Sequence, residues 1–235
     1  MTHFYKNEDR HFVSVDCIIF GFKENAIHVL IIKRKFPPLK DERSLMGGFI
    51  KRGESVNDTV SRVVYDYTGI ENVYWEQVGA YGDVKRDIAG RVISIVHYAL
   101  IDMELFDETL VKKYDAEWVN INRTGRLILD HNQFLIDTLR FIRHKAATYP
   151  VGFNLLPEKF TLTQLQSLYE AIYQTSLDKR NFRKKIFEMD ILEKLNEKDK
   201  YTSKRGAYYY RFNKEKYDRR LEDGAAFSFI RKSAL

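Results

Sequence analysis

The chain has 235 residues, of which 44% are hydrophobic and 14% aromatic, and this composition excludes a globally disordered protein. Its single cysteine, Cys17, excludes an intrachain disulfide framework. No apolar stretch of the sequence approaches the roughly 20 residues that span a bilayer, and the start, residues 1–10, is too polar for a signal peptide. We therefore expect a cytoplasmic protein of two modest domains with no membrane partner.

Charge is distributed unevenly along the chain, although the formal net charge is only +6. Residues 1–154 carry 21 basic and 21 acidic side chains, whereas residues 155–235 carry 18 basic and 12 acidic ones. A neutral front part followed by a basic rear part is typical of a small-molecule-binding module joined to a module that binds a polyanion. A solvated, lysine-rich helical surface is the alternative that charge counting leaves open.

The first part of the chain predicts a mixed sheet with helices on its faces. The predicted strands are Phe12–Phe22, Ala26–Lys35, Val73–Tyr81, Arg91–Ile101 and Glu117–Ile121, the first two forming a hairpin. One helix is predicted over Thr59–Thr68, opened by Glu54 or Ser55 and closed by Gly69, and a second, amphipathic one over Asp130–Ala147. We place the first domain at 1–149, a linker at 150–154 and the second domain at 155–235.

The second part predicts two helices followed by paired strands. The first helix runs from a cap at Thr161–Thr163 to about Gln174, with leucines, Tyr169 and Ile172 at helical spacing. The second helix has Asp178 as N-cap and an inward apolar stripe, between which the positions are cationic or amide. Residues 201–212 then predict a hairpin with a basic tip. Helix, basic helix and basic hairpin is the order of a winged helix, and a helical cap on the first domain is the alternative.

The segment Gly48–Ile70 carries the most specific pattern in the chain. It resembles the Nudix box, in which a glycine, a glutamate, an arginine-glutamate pair and two further glutamates recur at fixed spacing. The residues that match the box are Gly48, Glu54, Arg62, Val64, Gly69 and Ile70. We expect Arg62 to brace the loop, and the glycines to serve turns and a helix C-cap.

Three positions of this box share one face of the predicted helix and have departed from the glutamates of the pattern. They are Val63, Asp66 and Tyr67. Magnesium needs clustered oxygen ligands, and only one carboxylate remains where three are expected. We therefore predict that the chain is not an enzyme and has no catalytic residue, no metal and no cofactor. The alternative is a weakly bound ion held by Glu54 and Asp66.

Together the two parts resemble the NrtR-like, Nudix-related transcriptional regulators over nearly the whole chain. The segments that carry the resemblance are Gly48–Ile70, Arg86–Asp87, Phe160–Ala171 and Lys179–Lys184. The resemblance implies an α/β (α+β) fold, with an N-terminal Nudix-like α/β/α sandwich built on a mixed sheet and a C-terminal winged-helix domain. It also implies a homodimer that binds a palindromic operator in double-stranded DNA and is released by a small-molecule inducer.

The family has a branch that senses ADP-ribose and a carbohydrate-utilisation branch that includes arabinose regulators. Because the disrupted metal face removes a grip on a diphosphate, we predict a sugar rather than ADP-ribose as inducer, and a repressor of arabinose-type utilisation genes. The predicted ligand-binding residues are Arg34, Tyr65, Asp83, Arg86, Asp87 and His97. For these the alternatives are an Arg86–Asp87 ion pair, a sheet histidine at His97 and a surface aromatic at Tyr65. The alternative function is a Nudix hydrolase of ADP-ribose or a related nucleoside diphosphate derivative.

The predicted DNA contacts come from the cap of the first helix, the basic helix and the basic hairpin. They are Thr161, Thr163, Lys179, Arg180, Asn181, Arg183, Lys184, Lys204, Arg205 and Tyr208. Such a helix places its cationic and amide edge in a major groove, while the hairpin reaches phosphates or the minor groove. A basic module that binds RNA or an acidic protein is a third interpretation.

Overall fold

The computed structural model describes residues 7–71, 73–103, 115–200 and 206–222. The strands of the first domain are β1 (Phe12–Lys23), β2 (Ala26–Lys33), β3 (Arg43–Ser44), β4 (Met46–Phe49), β5 (Trp75–Tyr81), β6 (Val92–Leu100) and β7 (Ala116–Asn120). Its helices are α1 (Val56–Thr68) and α2 (His131–Thr148). The second domain contains β8 (Phe160–Thr161), α3 (Leu162–Tyr173), α4 (Lys179–Glu188), β9 (Leu192–Asp199), β10 (Ala207–Phe212) and α5 (Lys214–Glu222). Among the described residues, no helix combines the length and the apolar character needed to cross a membrane.

The first domain is built on a mixed sheet, as predicted, but the sheet has seven strands, because β3 and β4 join the five that the sequence predicted. The strand order is β3-β2-β1-β6-β5, with β4 also paired to β1 and β7 to β2. The β1–β6 pair is parallel, whereas the other pairs are antiparallel. The predicted hairpin joins β1 and β2 through Glu24 and Asn25, whose φ angles of 51° and 58° suit a two-residue turn that follows the twist of the strands.

Alternate residues of β1 face opposite layers of the domain, because side chains along a strand alternate between the two faces. Val15 and Cys17 lie in a buried cluster with Val60 and Val63 of α1. Ile18 and Phe20 lie in a second cluster, together with Phe134, Leu135 and Ile142 of α2. The sheet is therefore covered on both faces, which confirms the α/β/α sandwich.

The two ends of α1 are set by local hydrogen bonds. Of the two predicted openers, Ser55 is the N-cap: its hydroxyl accepts from Asp58 N–H at 3.1 Å, and Ser55 N–H donates to the Asp58 carboxylate at 2.9 Å. Gly69 closes the helix at φ 68°, where its N–H donates to the Tyr65 carbonyl. Glu54 therefore does not cap α1.

The second domain has the winged-helix order of elements. Thr161 and Gln164 form a capping box at the start of α3, and the Asp178 side chain caps α4. Residues that the helical spacing placed inside are buried: Leu162, Leu165, Leu168, Tyr169 and Ile172 of α3, followed by Phe182, Ile186 and Met189 at α4. Strands β8, β10 and β9 complete the domain as a three-stranded sheet.

The prediction of a hairpin within residues 201–212 is wrong for its first strand, which is β9. Its sequence, Leu-Glu-Lys-Leu-Asn-Glu-Lys-Asp, is mostly charged and exposed, so it lacks the apolar alternation of a half-buried strand. Residues 201–205, the predicted basic tip, lie outside the described residues.

One buried cluster runs from the first domain into the second. It includes Ile142 and Ala146 of α2, Val151 of the predicted linker, and Leu165 and Leu168 of α3. The division at 150–154 stays a prediction, but this segment packs into the core, since Val151 is only 8% exposed.

Hydrogen bonds reinforce this junction between the domains. Arg143 of α2 donates from Nε to the Ile172 carbonyl at 2.8 Å and from Nη2 to the Gln174 side chain at 2.6 Å. Gln174 in turn donates to the Asn122 side chain at 2.7 Å. The junction is thus both apolar and hydrogen-bonded.

We expect Leu168→Ala to lower the free energy of unfolding by about 2–5 kcal/mol, because it removes buried methyl groups and leaves a cavity. Both tryptophans, Trp75 and Trp118, lie in the first domain. Since Leu168 belongs to the shared core, the urea midpoint followed by tryptophan fluorescence should fall together with that followed by far-UV circular dichroism. Thr163→Ala, on the exposed side of α3, is the control. An unchanged fluorescence midpoint in Leu168→Ala would show that the domains unfold independently.

Candidate functional site

A pocket opens in the first domain where β1, the end of β2, β4, the 82–91 loop and the start of α2 converge. It is lined by Ser14, Asp16, Ile32, Arg34, Phe36, Ser44, Leu45, Gly47, Gly48, Phe49, Tyr67, Arg86, Asp87, Val92, Leu129 and His131. Of the six residues predicted to bind the ligand, Arg34, Arg86 and Asp87 line this pocket. The pocket therefore contains Gly48 and Tyr67 of the Nudix-like box together with half of the predicted residues.

The other three predicted ligand residues lie elsewhere. Tyr65 is 50% exposed on α1, as the surface-aromatic alternative had it. The Asp83 carboxylate accepts from Lys85 N–H at 2.8 Å within its own loop. His97 is 1% exposed on β6, where its ring lies 3.1 Å from the Ile95 carbonyl and packs edge-on against Trp75, and burial lowers the pKa of His97. His97 is thus the hydrogen-bonded sheet histidine of the alternative interpretation.

The floor of the pocket is a buried carboxylate, Asp16, which is 7% exposed and accepts a hydrogen bond from the Ser94 hydroxyl. His131 accepts from Leu45 N–H through Nδ1 at 3.1 Å, so its proton sits on Nε2, which lies 3.6 Å from Asp16 Oδ1. Burial lowers the pKa of His131, which keeps the ring neutral. A Cβ at Gly47 would lie 2.5 Å from Asp16 Oδ1, so only glycine leaves room for this acceptor.

Guanidinium and aromatic groups form the walls. Arg86 is 8% exposed and binds Asp130 through two hydrogen bonds of 2.9 and 2.8 Å, so the alternative interpretation of an Arg86–Asp87 ion pair is wrong. Arg34 donates from Nε to the Phe36 and Pro38 carbonyls, and its guanidinium lies 4.3 Å from the centre of the Phe36 ring. These contacts hold the Arg34 guanidinium at the pocket wall.

Sequence reasoning missed Asp16, His131, Phe36 and Tyr67 as pocket residues. Asp16 had a signal, because it is an acidic residue in the middle of an apolar strand pattern, and a buried charge needs a reason. Nothing local distinguished His131, because its partners Asp16 and Leu45 are distant in the chain.

The box residues do not fit the magnesium ion that a Nudix fold implies. Val63 is 1% exposed in the core between α1 and the sheet, and Tyr67 lines the pocket with a phenol instead of a carboxylate. Asp66 supplies a carboxylate, but it is 54% exposed and lies 3.7 Å from Arg62. Within the described part of the chain, no three acidic, histidine or cysteine side chains cluster as a metal site.

Glu54 is engaged by Arg62 through contacts of 2.7 Å at Oε1 and 2.9 Å at Oε2. It also accepts from Lys51 N–H and from the Thr59 hydroxyl. Arg62 further donates to the Phe49 carbonyl at 3.0 Å, which confirms its expected role as a brace of the loop. The hydrogen bond from Arg62 and the one from Lys51 lower the pKa of Glu54 to about 2.

The second domain presents a cationic surface along α4 and the β9–β10 wing. Thr163, Lys179, Arg180, Asn181 and Lys184 are exposed, whereas Arg183 is half-buried. Thr161 is 2% exposed and its hydroxyl caps α3, which leaves it little surface for DNA. Tyr208 lies in the wing, where sequence reasoning missed Lys194 and Lys198; their amino groups lie 3.7 and 4.5 Å from its ring centre. Lys204 and Arg205 lie outside the described residues.

Comparison with known proteins identifies the family. Residues 10–140 match the NUDIX domain, and residues 152–212 match the NrtR DNA-binding winged helix domain. An ADPR responsive transcriptional repressor, NtrR, of Acinetobacter baylyi is 30% identical over 210 residues, which cover 88% of this chain and 84% of that protein. The chain belongs to the NrtR-like family of Nudix and winged-helix transcriptional regulators.

Two further proteins are similar to this NrtR-like chain, one to its first domain and one to nearly its whole length. The ADP-ribose pyrophosphatase of Methanocaldococcus jannaschii is 37% identical over 130 residues, which cover 55% of this chain and 73% of that protein. The crystal structure of Shewanella oneidensis NrtR complexed with a 27mer DNA has 24% sequence identity and a TM-score of 0.80, covering 93% of this chain and 98% of that chain. This likeness confirms the two-domain fold.

The prediction of a sugar ligand is wrong, because the two relatives are an ADPR responsive repressor and an ADP-ribose pyrophosphatase. That prediction assumed that a diphosphate binds only through a metal ion. The pocket of this NrtR-like chain instead offers a guanidinium, Arg34, beside an aromatic ring. The arabinose-type branch is likewise without support in these relatives.

We expect Glu54→Gln to change how the stability of the chain depends on pH. Because hydrogen bonds from Arg62 and Lys51 lower the pKa of Glu54 from 4.5 to about 2, the folded state gains stability from this carboxylate above pH 4.5 and loses it as the pH falls toward 2. The difference in Tm between wild type and Glu54→Gln should therefore be largest near neutral pH and should shrink below pH 4.5. Calorimetry across this range measures it, with Glu71→Gln, an exposed site beyond α1, as the control. Parallel pH profiles for wild type and Glu54→Gln would contradict the expectation.

Proposed function

We propose that this chain is a transcriptional repressor that binds ADP-ribose in the Asp16–Arg34 pocket and releases operator DNA when the pocket is occupied. The observation that carries the proposal is the pocket lined by Asp16, Arg34 and Tyr67 beside a Nudix box without its metal ligands, joined through one core to a winged helix with a cationic face. The likeness to an ADPR responsive repressor over most of the chain supports it.

The chemistry of the pocket suits each part of ADP-ribose. The Arg34 guanidinium matches a diphosphate, because charge-assisted hydrogen bonds to phosphate are among the strong ones. The rings of Phe36 and Tyr67 offer stacking surface to adenine. The carboxylates of Asp16 and Asp87 can accept hydrogen bonds from ribose hydroxyls.

We infer that the bound ligand is not hydrolysed. In the Nudix box, Val63 is buried in the core, Tyr67 carries no carboxylate and Glu54 is engaged by Arg62. The likeness to an ADP-ribose pyrophosphatase covers 55% of this chain and supports recognition of ADP-ribose. Catalysis requires the clustered oxygens that this box lacks.

We propose that the chain binds DNA as a homodimer. Two winged helices read half-sites on successive turns of a palindrome only if a dimer holds them at fixed spacing. Because α2 and α3 share a core and are joined by the hydrogen bonds from Arg143 to Ile172 and Gln174, a shift of α2 on ligand binding carries α3 with it. A ligand that favours another dimer geometry therefore lowers the affinity for the operator.

We expect ADP-ribose to raise the Tm of the chain in proportion to the logarithm of its concentration, because it binds the folded state. Arg34→Ala should weaken binding by about 10–100-fold in titration calorimetry, as loss of a charge-assisted hydrogen bond implies. Arg140→Ala, on α2 outside the pocket, is the matched control.

Two results would contradict this prediction. A rise in Tm with arabinose but not with ADP-ribose would show that the chain binds the sugar and not ADP-ribose. Magnesium-dependent release of product from ADP-ribose, abolished by Asp66→Ala, would establish the hydrolase instead.

We expect the full chain to bind a palindromic duplex with an affinity that falls steeply as salt rises, and ADP-ribose to weaken the complex. Arg180→Ala should weaken binding by about tenfold, since one lost contact to a base edge or phosphate is worth about 1–3 kcal/mol. Fluorescence anisotropy measures both, and Lys40→Ala in the first domain is the control. Unchanged binding by Arg180→Ala would remove the assignment of α4 as recognition helix, and equal affinity for single-stranded RNA would favour an RNA-binding module.

A further inference from the structure

An aromatic side chain, Phe187, lies on the outward face of the basic helix α4. Phe182, Ile186 and Met189 point into the core, and they are 5%, 0% and 5% exposed. On the opposite side, Arg180, Lys184 and Phe187 follow the i, i+4, i+7 spacing that puts residues on one face of a helix. Phe187 is 49% exposed, so a face that is otherwise charged carries one apolar ring.

The Phe187 ring is held in place by the wing. Its centre lies 5.9 Å from that of Tyr210, at an interplanar angle of 54°, and Tyr210 of β10 is only 9% exposed. Tyr208 lies two residues earlier on the same strand, and Lys194 and Lys198 approach its ring. Phe187 and Tyr210 therefore connect the outward face of α4 to β10, and Tyr208 lies further along the same strand.

The cations around Phe187 and Tyr208 determine which kind of partner this surface can bind. Arg180 and Lys184 precede Phe187 on the helix face, and Lys194 and Lys198 flank the wing end. Such a surface attracts a polyanion and disfavours an apolar protein patch. Phosphates and sugars offer little to a phenyl ring, whereas the major groove presents one apolar group at its surface, the C5-methyl of thymine.

We propose that Phe187 is a specificity-determining residue that contacts the C5-methyl group of a thymine in each half-site of the operator. The inference rests on the proposed function, because it requires that α4 lie in a major groove. Arg180 and Lys184 supply the attraction to DNA, which is independent of sequence where it acts on phosphates. Phe187 carries no charge, so its contribution is to discriminate between bases.

The test removes the methyl group from the DNA and then, in a variant, the ring from the protein. A duplex selected from a random library by the full-length wild-type chain is resynthesised with each thymine replaced in turn by deoxyuridine. At one thymine in each half-site, we expect the replacement to weaken binding by about fourfold, the value of one buried methyl group. Phe187→Ala should bind the duplex with thymine at that position and the duplex with deoxyuridine there with equal affinity. The salt dependence of its affinity should stay that of wild type.

Two further variants serve as controls. Phe187→Leu keeps an apolar contact with Tyr210 and should retain part of the preference for thymine, and its Tm checks that α4 remains folded. Ile136→Ala, at a residue 51% exposed on α2, should keep the full preference. Wild-type protein that is insensitive to every deoxyuridine, or Phe187→Ala with undiminished sensitivity, would overturn the methyl contact. Absence of any salt-dependent duplex binding by wild type would instead overturn the proposed function.

Discussion

The burial of Val63 between α1 and the sheet is the constraint on which the character of the first domain depends. A carboxylate at this position would be transferred into an apolar core, at a cost that only a bound cation or a partner could offset. Valine instead adds apolar packing and lies close to the backbone of β4, since a Cβ at Gly48 would be 3.0 Å from its side chain. The helix that carries the metal-binding glutamates of the Nudix box pattern is thus a packing helix here, and the side chain of Val63 offers no oxygen to a cation.

Loss of the metal face has not left the loop of the box unsupported. Arg62 donates hydrogen bonds to both Glu54 and the Phe49 carbonyl, which fixes the position of β4 relative to the start of α1. The acceptor Asp16 is fixed in the same way, by Ser94 from β6 and by the clearance at Gly47. A pocket whose polar groups are already oriented loses less entropy when a ligand binds, which suits a sensor.

Local signals in the sequence predicted the elements well, and contacts between distant segments account for what was missed. Ser55, Gly69 and the leucines of α3 follow rules that operate within one or two helical turns, and the structure confirms them. Asp16 meets Ser94 only because β1 and β6 pair in parallel, and it meets His131 only because α2 covers that sheet. Strand β9 was missed for a different reason, since most of its side chains are exposed and its few buried or partly buried positions do not alternate.

Half of the ligand residues predicted from the sequence line the pocket, and the two arginines illustrate why. Arg34 follows a strand end, and loops at strand ends carry binding groups in such folds. Arg86 lines the pocket, but the sequence did not predict its partner, because Asp130 is 44 residues away in the chain. The one cysteine adds a practical consequence: Cys17 is 2% exposed between α1 and the sheet, and burial raises the pKa of its thiol. Cys17 should therefore not react with thiol reagents in the folded chain. Cysteines introduced on α3 and on the 82–91 loop would then be the sites that spectroscopic probes label. The distance between the two probes could be followed as effector is added.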